Sequence, residues 1–289
     1  MGHIRQPVAA GSFYATDPEI LNKEITKYFI SHPLGPQGKK LVAPNLLGGM
    51  VPHAGHIYSG PCAAHLYSRI EGNNNCVILL GVNHSGIGAR AALSPADGWK
   101  TPLGEVQIDH VSKEILHWRL DFLKVDEKSH SQEHSLEVQL PLLQRVLKEF
   151  TIVPVSLSAL SETECAQLGE AIVDLYREKK ALGKGIIIIA SSDLSHYLSP
   201  RETERLDNMA LEPILALDPV GLLETVEREG ISMCGVIPTA VLLFVAKAIG
   251  GAKASLLKHC HSGDVVPMRK VVGYASVGLE LCSDSVSIL

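Results

Sequence analysis

The stretch Gly185-Ile186-Ile187-Ile188-Ile189-Ala190 runs straight into Ser191-Ser192-Asp193-Leu194-Ser195-His196. Four successive isoleucines are too short a run for a buried helix and are rich in β-branching, so they read as a strand covered on both faces. The polar cluster behind them puts a carboxylate and an imidazole at the carboxyl end of that strand, where open α/β sheets bind ligands. Two other runs repeat the pattern. Leu46–Val51 (LLGGMV) leads into Pro52-His53-Ala54-Gly55, and Cys76–Gly81 (CVILLG) leads through Val82 into Asn83-His84-Ser85-Gly86. If the three strands are neighbours, His53, His84 and the Asp193/His196 pair converge on one pocket.

Outward from these runs, apolar strand patterns alternate with helical periodicity. Helices are predicted over 18–29, 60–70, 111–118, 135–149, 162–179, 201–216, 220–228 and 238–249. Strands are predicted over 46–51, 76–81, 89–94, 105–108, 151–157, 185–190, 254–260 and 271–281. The alternation implies an α/β protein with a mostly buried central sheet flanked by helices. The candidate site residues spread from Pro52 to Cys234, and no linker interrupts them, so residues 1–289 read as a single domain.

The composition excludes several classes. With 289 residues, 46% hydrophobic and 20% charged, the chain can bury a full core, which rules out disorder, coiled coil and collagen. The net charge is -5 and no Lys/Arg run exceeds two residues, so a nucleic-acid partner is not expected. The longest apolar stretch, Val236–Ala246, contains Pro238 and is too short to span a bilayer. Six scattered cysteines form no CxxC pair, against a zinc knuckle or a disulfide framework. The N-terminus carries no apolar signal region, and the expected compartment is the cytoplasm. The phosphate-cradling motifs GxGxxG and GxxxxGK[ST] and the nucleophile elbow GxSxG are missing.

Histidine is the skewed count, 13 against seven Tyr, five Phe and two Trp. Imidazoles at strand ends suit zinc, copper, iron or nickel; the competing reading is backbone capping. Asp193 and His196, three apart, suit an oriented acid/base, or else a local Asx bond. His130, His134 and Glu137 stand at helical i,i+4 and i,i+3 spacings. A zincin motif would need Glu where Ser131 stands, so His134 and Glu137 read as pocket-wall residues. Cys234 precedes the helix predicted near Pro238; a thiol there can have a lowered pKa and is a soft ligand, but spacing does not choose it over Cys62 or Cys76. Tyr58 reads equally as a pocket wall or as a ring packed on the following helix.

The segments Ala10-Gly11-Ser12-Phe13-Tyr14, PHAGHIYSG, LLGVNHSG, EHSLEVQLPLL, SSDLSH, MCG and VGYASV, in that order, resemble the Memo family nearly end to end. The resemblance implies a fold like that of class III extradiol dioxygenases, which hold non-haem Fe(II) with two His and one Glu. Memo proteins are similar to a variant with Cys in place of the Glu. Carried over, the metal ligands would be His53, His84 and Cys234, with His196 at the acid/base position and Asp193 in the same pocket; it is the resemblance that selects Cys234. A His/His/thiolate set is softer than a His/His/carboxylate set and accepts Fe(II) or Cu, with Zn as the third option. The family's animal member is associated with motility signalling, phosphotyrosine-peptide binding and metal-linked redox control.

Three functions follow as expectations. The first is a metal-binding redox enzyme acting on a small molecule. The second is a non-catalytic module that captures a ligand or peptide in a vestigial pocket. The third is a zinc hydrolase, since three protein ligands and a water make a catalytic zinc site.

Overall fold

The architecture is described from a computed structural model over residues 2–39, 41–72 and 75–282. In chain order its elements begin with β1 (Ile4–Arg5), α1 (Pro18–Ile30), β2 (Leu46–Val51), α2 (His56–Tyr67), β3 (Asn75–Val82), β4 (Ala91–Leu93), β5 (Gly98–Thr101) and β6 (Gly104–Ile108). There follow α3 (His110–Arg119), β7 (Lys124–Val125), α4 (Gln139–Val146), β8 (Phe150–Leu157), α5 (Glu162–Ala181), β9 (Ile186–Ser191) and β10 (His196–Leu198). The chain closes with α6 (Pro200–Leu215), α7 (Pro219–Glu229), α8 (Val236–Ile249), β11 (Ala252–His261) and β12 (Val271–Leu281).

Twelve strands form one mixed sheet whose main path is β1-β5-β6-β8-β3-β9-β2-β12-β10. Its centre, β8-β3-β9-β2, is parallel, and β12 closes it antiparallel to β2. All residues of β3 and β9 are buried. Alternate residues of each serve opposite faces, as the two-residue period of a strand requires. Ile78, Leu80, Ile186 and Ile188 pack with α5 and α8, while Val77, Leu79, Ile187 and Ile189 pack with α1, α2 and α4. The result is a buried α/β sheet flanked by helices, consistent with the expected dioxygenase-like architecture. Gly48 explains why β2 reads LLGGMV: a Cβ there would stand 1.8 Å from the Ile188 carbonyl oxygen, so only glycine lets β2 lie this close to β9.

Two helices depart from expectation. The second starts at His56 rather than at residue 60, so Pro61 lies inside it rather than in its first turn. The helix expected over 135–149 covers only Gln139–Val146. Residues 135–138 are drawn into other bonds: Ser135 Oγ accepts from the Val82 N–H (3.0 Å), and the Glu137 carboxylate is committed to the N-terminal segment. Among the described residues, no helix is long and apolar enough to cross a membrane.

Candidate metal centre

Because β3, β9 and β2 are adjacent, their carboxyl ends deliver His84, Asp193 and His53 to one place. Two loops complete it, one before α4 carrying Glu133 and His134, the other between α7 and α8 carrying Cys234.

His53 is 2% exposed. Its backbone N–H and that of Ala54 donate to Asp193 Oδ1 (2.8 and 3.2 Å), which pins the turn that ends β2. Its Nδ1 meets Ser191 Oγ at 3.0 Å, and its Nε2 faces the Cys234 sulfur at 3.1 Å. The Asp193 N–H donates to that same sulfur (3.3 Å). His84 is held from behind by Glu133, whose carboxylate accepts from the His84 backbone N–H (2.8 Å) and from Nδ1–H (2.9 Å). A carboxylate only accepts, so His84 is the Nδ1–H tautomer and its Nε2 lone pair is free for a ligand.

The His53 and His84 rings stand nearly perpendicular (86°) with centroids 5.1 Å apart. His134 lies parallel to His84 (4.6 Å, 20°), and Phe13 stacks on the other face of His134 (4.2 Å, 24°). One ligand nitrogen each from His53, His84 and His134 falls within 4.8 Å of the others, a group that could hold a metal ion. Cys234 lies outside that three-way cluster, against His53.

Burial keeps the His53 and His134 imidazoles neutral. Burial, reinforced by the neighbouring His84, lowers the His53 pKa to about 3, and burial with His53 nearby lowers His134 to about 4. Neutral imidazole is the ligating form. For Glu133, burial pushes upward, but the hydrogen bonds from His84 and from the N–H of Ser135 outweigh it and bring the carboxyl down to about 2. The Cys234 thiol is pushed up, first by burial and then by Asp193, so the lowering expected from its place before a helix is not what prevails. An ion would displace the thiol proton, as zinc and copper do on binding cysteine. Neutral imidazoles beside a thiol are a donor set that fits a borderline or soft first-row cation.

The other residues singled out from sequence have definite places. His196 is partly exposed; its Nδ1–H donates to the Ser232 carbonyl (2.8 Å) and its backbone N–H to Ser232 Oγ (2.8 Å), so Ser232 rather than Asp193 orients it. Tyr58 packs at the edge of a small cluster with Cys62, Cys260 and Tyr274. The stretch 130–137 is not helical, so its three candidates diverge. His130 bonds the Ala92 carbonyl beneath Trp99, His134 enters the cluster, and Glu137 faces Arg5 and Tyr14. Glu133, Ser191, Gln139 and Phe13 carried no signal in their spacing, although all four fall inside the segments that carry the resemblance.

A family profile described as Memo-like protein matches residues 5–278. The chain is 41% identical over 280 residues to a MEMO1 family protein of Methanopyrus kandleri, covering 94% of this chain and 98% of that one. It is 42% identical over 283 residues to a MEMO1 family protein of Sulfurisphaera tokodaii (95% and 98%). A MEMO1 family protein of Pyrobaculum arsenaticum is 39% identical over 281 residues (95% and 98%).

Proposed function

The chain belongs to the Memo-like protein family, and from that premise we propose that it is a cytoplasmic redox protein holding Fe(II) or Cu through His53, His84 and Cys234. The observation that carries the proposal is the Cys234 sulfur at 3.1 Å from His53 Nε2, beside a perpendicular His84 ring. Donors at about 2.1 Å (nitrogen) and about 2.3 Å (sulfur), set at a right angle about one ion, stand about 3.1 Å apart. The competing third donor is His134. Imidazole lone pairs lie in the ring plane, and two planes only 20° apart and stacked do not aim at one point. His84, with a side chain about a third exposed (34%), has room to swing toward the sulfur, leaving His134 as the wall behind it.

When bound, such an ion supplies one-electron chemistry or O2 activation. The chain's own groups do the rest. His196, its Nδ1 tied to Ser232, keeps Nε2 to take or give a proton at a bound small molecule or peptide. The buried Asp193 side chain holds the His53 turn in place. Phe13, His134, Tyr58 and the loop fixed by Glu137 line and support the pocket.

The test is anaerobic uptake of Fe2+, Cu+ and Zn2+ in turn. Wild type is expected to take one ion per chain, His53→Ala and Cys234→Ser to lose it, and His134→Ala to keep it. Equal uptake by wild type and His53→Ala would sink the site; loss in His134→Ala with retention in Cys234→Ser would move the third donor. Oxygen consumption with catechol-type phenols, abolished in His196→Ala, distinguishes the enzyme from a ligand-binding module. Zinc uptake accompanied by ester hydrolysis would make the protein a hydrolase instead.

A further inference from the structure

Gln139 is wholly buried at the start of α4 and touches none of the proposed ligands' donor atoms, yet its bonds lead to His53. Its Nε2 donates to the Pro52 carbonyl (3.0 Å) and to Ser191 Oγ (2.8 Å), and its Oε1 accepts from the Tyr67 hydroxyl (2.7 Å). Ser191 Oγ in turn lies 2.7 Å from the Ser135 carbonyl and 3.0 Å from His53 Nδ1.

The proton positions in this chain have one solution. Backbone carbonyls only accept. The Pro52 carbonyl therefore requires the amide nitrogen of Gln139 on its side; a flipped amide would set oxygen against oxygen. The Ser135 carbonyl requires the single Ser191 hydroxyl proton. Ser191 Oγ then has two lone pairs left, and the Gln139 N–H occupies one of them. His53 Nδ1 can meet the other only as a donor. The ring is thereby the Nδ1–H tautomer, and its Nε2, without a proton, faces the Cys234 sulfur.

We propose that Gln139 and Ser191 are positioning residues that lock His53 as its Nδ1–H tautomer and so aim the Nε2 lone pair into the metal centre. The consequence for metal uptake rests on the reading of that centre given above; the tautomer itself does not. His84 is set the same way by Glu133, so two unlike devices, a carboxylate and a serine–amide relay, present both imidazoles through Nε2.

The experiment is two-dimensional NMR of the metal-free protein with 15N-labelled histidine, which reads the proton-bearing nitrogen of each ring, together with Co2+ titration of the same samples. Wild type is expected to show His53 protonated at Nδ1. Ser191→Ala should move His53 toward Nε2–H and weaken Co2+ binding about 10–100-fold, the usual effect of losing such a partner. Gln139→Leu leaves the Ser191 proton on the Ser135 carbonyl, so His53 should stay Nδ1–H while the loosened Ser191 weakens Co2+ binding in smaller measure, and Ser191→Thr should restore the wild-type pattern. His56 is an internal control for folding: its Nε2 bonds the Val138 carbonyl at 2.7 Å, so it must read Nε2–H in every variant. His53 carrying its proton on Nε2 in wild type, or keeping it on Nδ1 in a folded Ser191→Ala, would overturn the lock. Wild type with the expected tautomer but no Co2+ uptake would support the lock and count against the metal reading instead.

Discussion

Replacing Glu137 by glutamine tests what holds the N-terminal segment over the site. The carboxylate is completely buried and every partner is a donor. Oε2 accepts from Arg5 Nη1 (2.6 Å) and the Val8 N–H (2.9 Å), and Oε1 from the Ala9 N–H (2.8 Å) and the Tyr14 hydroxyl (2.6 Å). Glutamine keeps the shape but brings an NH2 to one pair. Its better orientation points the NH2 at Ala9 and Tyr14, because the Tyr14 hydroxyl can turn to accept. That leaves the Ala9 N–H orphaned, at about 1–3 kcal/mol. It also leaves the Arg5 charge buried without a counter-charge. Arg5 cannot withdraw, since it lies over Trp99 (4.1 Å) and donates to the carbonyls of His130 and Glu133 (2.9 and 2.8 Å). Breaking a buried pair by removing one charge costs about 3–5 kcal/mol. Allowing for the acceptor that glutamine retains, we expect a loss of about 3–5 kcal/mol in all. At about 2–4 °C per kcal/mol for a chain of this size, thermal unfolding followed by circular dichroism should show Tm lower by at least about 6 °C. A fall of less than about 2 °C would refute the view that this carboxylate is the clamp. Phe13 belongs to the clamped segment, so proteolysis near it should accelerate in the same variant.

Metal uptake by wild type at pH 7 should release about one proton per ion, because burial and Asp193 keep the thiol protonated until a cation displaces its proton. Calorimetry in buffers of different ionisation enthalpy measures this, and uptake without proton release would show the thiol is not a ligand. Burial lowers the pKa of His56 and of His130 to about 4, below the ordinary 6.5. Between those values the unfolded chain binds more protons, so stability is complete above about pH 6.5 and falls by up to about 1.4 kcal/mol per unit for each ring down to about pH 4. Urea midpoints that agree at pH 7.5 and pH 5 would contradict it. Gly273→Ala puts a Cβ 1.9 Å from Asp207 Oδ2, the carboxylate that holds the Ser195 N–H at 2.9 Å. We expect a cost of about 1–3 kcal/mol with weakened metal uptake, and an unchanged Tm would argue that the 193–196 loop has another anchor.

The strands around the site were legible because burial on both faces leaves a run with no polar residue to confuse the reading. Leu46–Val51 is observed as predicted, and β9 is displaced by one residue from the run predicted over 185–190. The residues just past those runs were legible for the same reason: an imidazole or carboxylate immediately after a buried strand has few structural uses. Other parts were not legible. Helical spacing grouped His130, His134 and Glu137 on one face, yet the segment is a loop whose polar side chains find partners in three directions. Cys234 is one of six cysteines with nothing in its spacing to mark it; Cys76 sits at the opposite end of β3, and Cys62, on α2, packs against Cys260.

There is a physical reason for this division. Groups that would touch a ligand must stand at strand ends, and a strand end is a local property of the chain. Groups that aim them are chosen by distance in space: Glu133 acts on a ring 49 residues away, and Gln139 reaches the Pro52 carbonyl across 87. What makes them effective is that their partners admit only one hydrogen-bonding role, a property of the assembled site and not of either segment. A change that conserves size but reverses a role, such as Glu133→Gln, should therefore disturb His84 more than the loss of a methyl group nearby. Glutamine could turn its NH2 toward His84 Nδ1, which would then have to accept, leaving the proton on Nε2 and the lone pair facing away from the cluster.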